Sequence, residues 1–540
     1  MFNKFLSSSS SCGLDTFLAL LGITRPPTHA SHLTRILILF HQASDSSSSI
    51  IIRAFENWRN EMKILQETAL TYDDVLLVPQ YSGVDSRRIL STKSPLTKKI
   101  FLQSPIVSAN MDVVTESEMA IAMAREGGIG IIHRFMTIAE QTRQIEKVKK
   151  AESFIVDKPL TMNESQTVGD VRRIVEETDT GGILIVDKND KLIGIVTTRD
   201  LLFEDDDNKL VTEIMTRDVH SAPPDTNLKD AERLLHEYRI EKLPLKDKEG
   251  KVAGLITLKD IMKITKFPKA TKDSKGRLAV GAAVGVRDKE LRRVEAALNA
   301  GADCIVVDIA HGDSHLEIEM IKNIRKHFPD AQVIGGNVAT ADGTKRLIDA
   351  GVDCVKVGVG PGSICITRQV AGSGVPQLTA IIESAKAAKE YNIPIIADGG
   401  IRFPGDVAKA IAAGASTVMI GSMLAGTDES PGMMMTRRGH KYKASRGMAS
   451  LTANIERNKR EGNDLTKEEI EDYVAEGVEA AVPYRGKVRE VLTQLVGGLQ
   501  SGMSYSGAHS IQEFQEKAIF MRMTGAGLKE SGPHDVEVLG

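Results

Sequence analysis

The sequence predicts an α/β fold, a TIM-type (β/α)8 barrel interrupted by an inserted tandem module, and three observations carry that prediction. A unit in which a helical pattern ends at glycine and a short apolar run follows recurs as "NAGADCIVVD", "DAGVDCVKVG" and "AAGASTVMIG", at residues 299, 349 and 412. Such runs number eight. Between the second and third of them, more than a hundred residues hold a duplicated pattern.

Each element follows from local chemistry. Glycine supplies the left-handed residue that closes a helix, and the β-branched run after it reads as a strand buried on both faces. The eight runs are "PIVSANMD", "GIGIIH", "LAVGAAVG", "CIVVDIAHG", "QVIGGNVA", "CVKVGVG", "PIIADGG" and "TVMIGS". Eight parallel strands alternating with helices make a barrel. In the insert, "GIVTTRD" at Gly194 and "GLITLKD" at Gly254 match at an offset of 60 residues, each after an apolar strand and a charged turn. An internal duplication without a catalytic constellation points to a binding or regulatory module. The expected boundaries are 62–151 with 269–540 for the barrel and 152–268 for the insert, its halves being 152–208 and 209–268.

Residues 1–61 read differently, with serine runs, few acidic residues and one short apolar stretch, "RILILF". They are expected to lie outside the core, either as a transit-like peptide or as an upstream extension, with Met62 a natural beginning. The 540 residues carry a net charge of −3 and a pI near 6.5, no field to recruit nucleic acid or an anionic membrane. No apolar run reaches the roughly 18 residues that span a bilayer. Cys12, Cys304, Cys354 and Cys365 fit no zinc, redox or disulfide spacing. A reducing, cytoplasmic setting and free thiols are expected.

Strand after strand ends in polar or glycine-rich residues: Asn110 and Asp112, His133, Asp308, Asn337, the Gly358 loop, Asp398-Gly399-Gly400, and Gly421-Ser422. In a barrel those ends carry the chemistry, and the loops after strands seven and eight bind phosphate. A phosphorylated small molecule is the expected ligand. Cys304 and Cys354 begin apolar runs and read as inert core residues. Cys365 stands outside any such run, in "VGVGPGSICITR", where loop amides can stabilise an anion and a thiolate. It is the expected nucleophile. Asp308 and Asp398 have a plainer reading as helix caps.

The motifs "SANMDVVTE", "GGIGIIHR", "KDSKGRLAVGAAVG", "GGNVAT", "GPGSIC", "ADGGI", "RGM" and "GAGLKESGPHD", in this order around the duplicated insert, resemble the IMP dehydrogenase and GMP reductase family from Thr71 onward. The insert resembles paired CBS motifs, a module that binds adenine nucleotides. The resemblance implies that Cys365 attacks C2 of a purine mononucleotide, with Thr367 and Glu476 beside it. It implies substrate contacts at Ser363, Asp398, Gly399, Gly400, Gly421, Ser422, Arg446, Gly447, Met448 and Glu476, and dinucleotide contacts at Asp308, Gly358, Val359 and Gly360. A potassium ion would take carbonyls of Gly360, Gly362 and Cys365, joined by Glu530, Ser531 and Gly532 of a neighbouring subunit in a homotetramer. Thr197 with Asp200, and Thr257 with Asp260, would contact a ribose of a regulatory purine nucleotide.

By the same resemblance the chain is expected to oxidise IMP to XMP with NAD, a step of guanine nucleotide synthesis. One departure keeps GMP reduction by NADPH open as the alternative. Dehydrogenases of this family carry an Arg-Tyr pair in a mobile flap, whose arginine activates water; the stretch "ASLTANIERNKREGNDLTKEEIEDYVAE" has Arg457, Arg460 and Tyr473, none adjacent. Ser445 and Ala449 also replace the usual tyrosine and glycine around "RGM". An inactive purine-nucleotide sensor is the third possibility, against which Cys365 and Thr367 argue.

Overall fold

The computed structural model describes residues 64–536 except 66, 153, 154, 157, 179, 266, 461–464 and 534. The segment 1–61 and the expected start at Met62 lie outside the described residues. The chain divides after Thr68, and the unit Ala69–Gly540 is the one treated below.

All eight expected strands form, as β1 (Ile106–Ser108), β2 (Ile129–Ile132), β3 (Val280–Val284), β4 (Cys304–Asp308), β5 (Val333–Val338), β6 (Cys354–Val357), β7 (Ile395–Asp398) and β8 (Thr417–Ile420). They pair in parallel, each with its neighbour, and β8 closes on β1 through Val418 opposite Ile106. Nearly every residue of these strands is buried, as a sheet covered by side chains on one face and helices on the other requires. The outer layer is Ser117–Arg125, Ile138–Ala151, Leu291–Asn299, His315–His327, Ala341–Ala350, Gln377–Lys389, Pro404–Ala412 and Val488–Tyr505. The glycines that signalled helix ends, Gly301, Gly351 and Gly414, hold φ of +97°, +108° and +111°, where a side chain is disfavoured. Cys304 and Cys354 are fully buried, and burial pushes both thiols well above their ordinary range. Among the described residues no helix is long and apolar enough to cross a membrane.

The insert leaves at the end of Ile138–Ala151 and returns at Thr271, whose amide bonds to the Ala124 carbonyl at 2.8 Å. Its duplication is structural. Gly182–Val186 with Leu192–Thr197 and Lys242–Lys246 with Val252–Thr257 form two antiparallel pairs 60 residues apart, each with a bulge at the same place. The offset holds even where the halves cross: Val156 pairs with Leu255, and Thr216 bridges Ile195. Leu184, Ile195 and Leu255 form a small shared core between them. Entry and exit are joined by buried ion pairs, Lys149 to Asp273 at 3.0 Å and Asp303 at 2.7 Å, and Glu152 to Arg125 at 2.7 Å.

Thr197–Asp200 and Thr257–Asp260 both sit where a strand of the insert runs into a helix. Each threonine hydroxyl donates to the aspartate, at 2.7 and 2.5 Å, and the pair caps the helix that follows. Their positions therefore have a complete local explanation as helix caps.

Candidate active site

The C-terminal ends of the barrel strands converge on one cation. Lys356, on β6, points into the barrel with a side chain only 2% exposed, and its ammonium donates to Asp308 Oδ1 at 3.0 Å, Asp398 Oδ2 at 3.1 Å and the Asn337 carbonyl oxygen. Those partners come from β4, β7 and β5. Asn337 completes the cluster by donating to the Gly358 carbonyl at 2.7 Å and to Asp398 Oδ2 at 2.8 Å. Burial opposes the charge on Lys356, but Asp308 and Asp398 outweigh it and raise the ammonium above its ordinary range. Burial likewise opposes the charge on Asp308, yet Lys356 and Arg134 hold this carboxyl below its usual range. Both aspartates retain about a fifth of their exposure, 21% and 23%, at the mouth. Neither caps a helix. The expected dinucleotide residue and the expected ribose residue are thus two arms of one network whose centre, Lys356, was not singled out from the sequence.

The Cys365 loop follows β6. The Cys365 amide closes a turn onto the Gly362 carbonyl at 3.1 Å, and Thr367 opens the short helix Thr367–Val370. Segment 476–478 runs antiparallel beside it: Ile366 N–H donates to the Glu476 carbonyl at 2.9 Å, and Val478 N–H to the Ile364 carbonyl at 3.0 Å. That pairing brings the expected trio together. Cys365 Sγ lies 3.2 Å from Thr367 Oγ1, which donates to Glu476 Oε2 at 2.7 Å. Because the threonine proton points at the carboxylate, its lone pair faces the thiol. A proton can pass from sulfur to hydroxyl to carboxylate along this line.

The glycines around the site make room for close backbone approach. At Gly358, φ is +150° and a Cβ would stand 2.1 Å from the Asp398 carbonyl oxygen. At Gly399, a Cβ would meet Pro361 Cγ at 2.8 Å, so the loops after β6 and β7 touch through this residue. Gly400 lies on the loop after β7, Gly421 follows β8, Ser422 opens the short helix Ser422–Ala425, and Ser363 is exposed beside Cys365. Gly447 N–H donates to the Val478 carbonyl at 3.0 Å, and Met448 turns into the flap. Arg446 is bound by Asp112, with its Nε at 3.0 Å, and by Glu456 at 2.6 Å. Val359, Gly360 and Gly362 lie along the same loop. Glu530, Ser531 and Gly532 end the helix Gly525–Glu530, with the first two exposed.

The flap contains helix Leu451–Arg460, which is only partly solvated, since Ala453 and Asn454 are buried. Arg460 is turned away, bound to the Phe135 carbonyl and near Glu456 at 3.9 Å. Arg457 is held by Asn454 Oδ1 at 2.6 Å. The Tyr473 phenol donates to the Ala449 carbonyl at 3.2 Å; burial raises it, and it feels the charges of Arg457 and of Glu476. Arg457 lies sixteen residues before Tyr473 in the chain, and its charge reaches the phenol, as does that of Glu476.

A closed barrel with a thiol, a hydroxyl and a carboxylate in line at the C-terminal ends of its strands is the architecture of a barrel enzyme. The comparisons specify the class: residues 69–534 match the model of the IMP dehydrogenase / GMP reductase domain, and the chain belongs to that family. It is 54% identical over 468 residues to inosine-5'-monophosphate dehydrogenase of Nitrosopumilus maritimus, covering 86% of this chain and 98% of that one. Against the enzyme of the same description from Aquifex aeolicus the identity is 54% over 472 residues, 87% of this chain and 96% of that one. Among solved structures, a GMP reductase variant from Trypanosoma brucei in complex with guanosine 5'-monophosphate superposes with a TM-score of 0.78 at 45% identity, covering 88% of this chain and 100% of that one.

Proposed function

We propose that this chain is an NAD-dependent oxidoreductase, an IMP dehydrogenase converting IMP to XMP. The observation that carries the reading is the aligned Cys365, Thr367 and Glu476, within a chain more than half identical to two IMP dehydrogenases over nearly their whole length. Asp398 would receive the ribose hydroxyls and the loops at Gly399–Gly400 and Gly421–Ser422 the 5′-phosphate. Cys365 adds to C2 of the purine, turning a flat carbon tetrahedral, and its proton moves toward Glu476 through Thr367. NAD, when bound, accepts the hydride that leaves C2. The partly exposed, ionised Asp308 suits a ribose hydroxyl of such a dinucleotide. Water then cleaves the thioimidate on Cys365 and frees XMP.

A potassium ion fits the donors at hand, since Gly360, Gly362 and Cys365 offer carbonyl oxygens, the ligands of hard cations. Among the described residues no group of three His, Cys, Asp or Glu side chains offers a competing site. Glu530 and Ser531, which are exposed, would with Gly532 complete the ion's ligands from a second subunit of a tetramer.

The second reading, GMP reductase, rests on the flap's lack of an Arg-Tyr pair in sequence and on the likeness to the trypanosomal reductase. Arg457 answers the first point in part, because its charge acts on the Tyr473 phenol while Arg460 is engaged elsewhere. The test supplies the protein with IMP and NAD, or with GMP and NADPH, and identifies products by chromatography. Sustained XMP is expected, falling about 10²-fold or more in Arg457→Gln while adduct accumulates on Cys365. NADPH-dependent conversion of GMP to IMP with negligible XMP would make the chain a reductase.

For residues 152–268 we propose regulatory binding of purine nucleotides near Thr197–Asp200 and Thr257–Asp260. Titrating the full chain with ATP, GTP or AMP in a calorimeter should give heat and a matching change in turnover, the coupling being about 1–3 kcal/mol. Silence with all three would leave the duplication an architectural pair.

A further inference from the structure

Glu317 is a carboxyl in the first turn of His315–His327 with no exposed surface, behind the catalytic network rather than in it. Its socket is built for it. A Cβ on Gly312 would stand 2.7 Å from Oε2, and one on Gly335 would stand 3.0 Å from Oε1. Oε1 accepts the amide of Gly336, at the point where the pairing of β5 with β6 slips between Gly336 and Val338. Such an irregularity re-aims the side chain it carries. Here that side chain is Asn337, which binds Lys356, Asp398 and the Gly358 carbonyl together. Oε2 is buried without a hydrogen-bond partner. Burial raises the carboxyl well above its usual range, against the Gly336 amide and the charge of Lys356.

We propose that Glu317 is a positioning residue, acting through the Gly336 amide to fix Asn337 and hence the geometry of Lys356, Asp398 and the Gly358 loop for substrate binding. The inference rests on the reading of Asp398 as a ribose contact. What the role requires is a carbonyl-type acceptor of the right length, which glutamine also provides.

The test measures IMP affinity by calorimetry without dinucleotide, alongside kcat and KM, in Glu317→Gln, Glu317→Leu, Asn337→Ala and the Glu317→Leu/Asn337→Ala double variant. Glu317→Gln should stay within about twofold of the parent at all pH values assayed. Glu317→Leu should weaken IMP binding about tenfold and lower kcat/KM further, since small misplacements at a reacting centre cost up to about 10²-fold. In the Asn337→Ala background the leucine substitution should add almost nothing, because the two residues form one path. Additive losses, or a Glu317→Leu variant that melts earlier yet binds IMP as the parent does, would overturn the proposal. Equal damage from glutamine and leucine would overturn it too. If Glu317→Leu does not accumulate as folded protein, Glu317→Met takes its place. Failure of the parent to bind IMP would instead count against the functional reading.

Discussion

Cys365→Ser is expected to abolish turnover, with a fall on the order of 10⁴-fold or more, the scale seen when a catalytic nucleophile is removed. The serine hydroxyl would still face Thr367 and so preserve the hydrogen bonds. It lacks the sulfur's nucleophilicity, however, and nothing in the site is placed to ionise an alcohol as Glu476 through Thr367 can take up a thiol proton. Cys304→Ser and Cys354→Ser should behave in the opposite way. Each places a hydroxyl inside a fully buried strand, at a cost of about 1–3 kcal/mol if it stays unpaired, so thermal unfolding should come earlier while the rate per folded molecule holds. Mass spectrometry of the parent after mixing with IMP and NAD should find the adduct on the peptide containing Cys365. Normal turnover in Cys365→Ser would remove covalent catalysis.

The barrel was legible because each strand is buried on both faces and so appears as an unbroken apolar run, with glycine marking the helix end before it at Gly301, Gly351 and Gly414. The catalytic end was legible because polar and glycine residues gather at the ends of those runs. The 60-residue duplication survives in the two antiparallel pairs of the insert and in the crossed pairings at Val156 and Thr216. What escaped needed the third dimension. Lys356 stands within "CVKVG" as one polar letter among apolar ones, and only barrel closure shows that it faces Asp308 and Asp398 from the two sides. The trio around Cys365 joins residues 109 positions apart, through backbone pairing that has no periodic signature. Arg457 and Tyr473 are apart in sequence, and the fold of the flap brings the charge of the one to bear on the other. At Thr197 and Thr257 the structure adds a capping role that spacing alone left open.

Lys356→Met should cost about 3–5 kcal/mol of stability and most of the activity, because it strips the ammonium from between two carboxylates. Methionine fills the volume, so the loss is electrostatic rather than a cavity effect. The pH dependence separates this from a general weakening. In the parent, Asp308 titrates below its ordinary value near 4, so its contribution is complete above that value and fades only as pH falls through the lowered one. The ammonium titrates above its ordinary value near 10.4, so its contribution is complete below that and fades only as pH rises beyond. Between about pH 5 and pH 8 the parent network should hold constant. In Lys356→Met the Asp308 carboxylate keeps only the charge of Arg134 against the cost of its burial, and its affinity for protons rises above that of the unfolded chain. The sign of the dependence then reverses. The variant should be most stable near pH 5 and lose stability as pH rises, so its melting temperature should diverge from the parent's toward pH 8. Differential scanning calorimetry of both proteins across that range checks the slope, and a gap that stays constant with pH would show that Lys356 acts by filling space and that its charge does not organise the site.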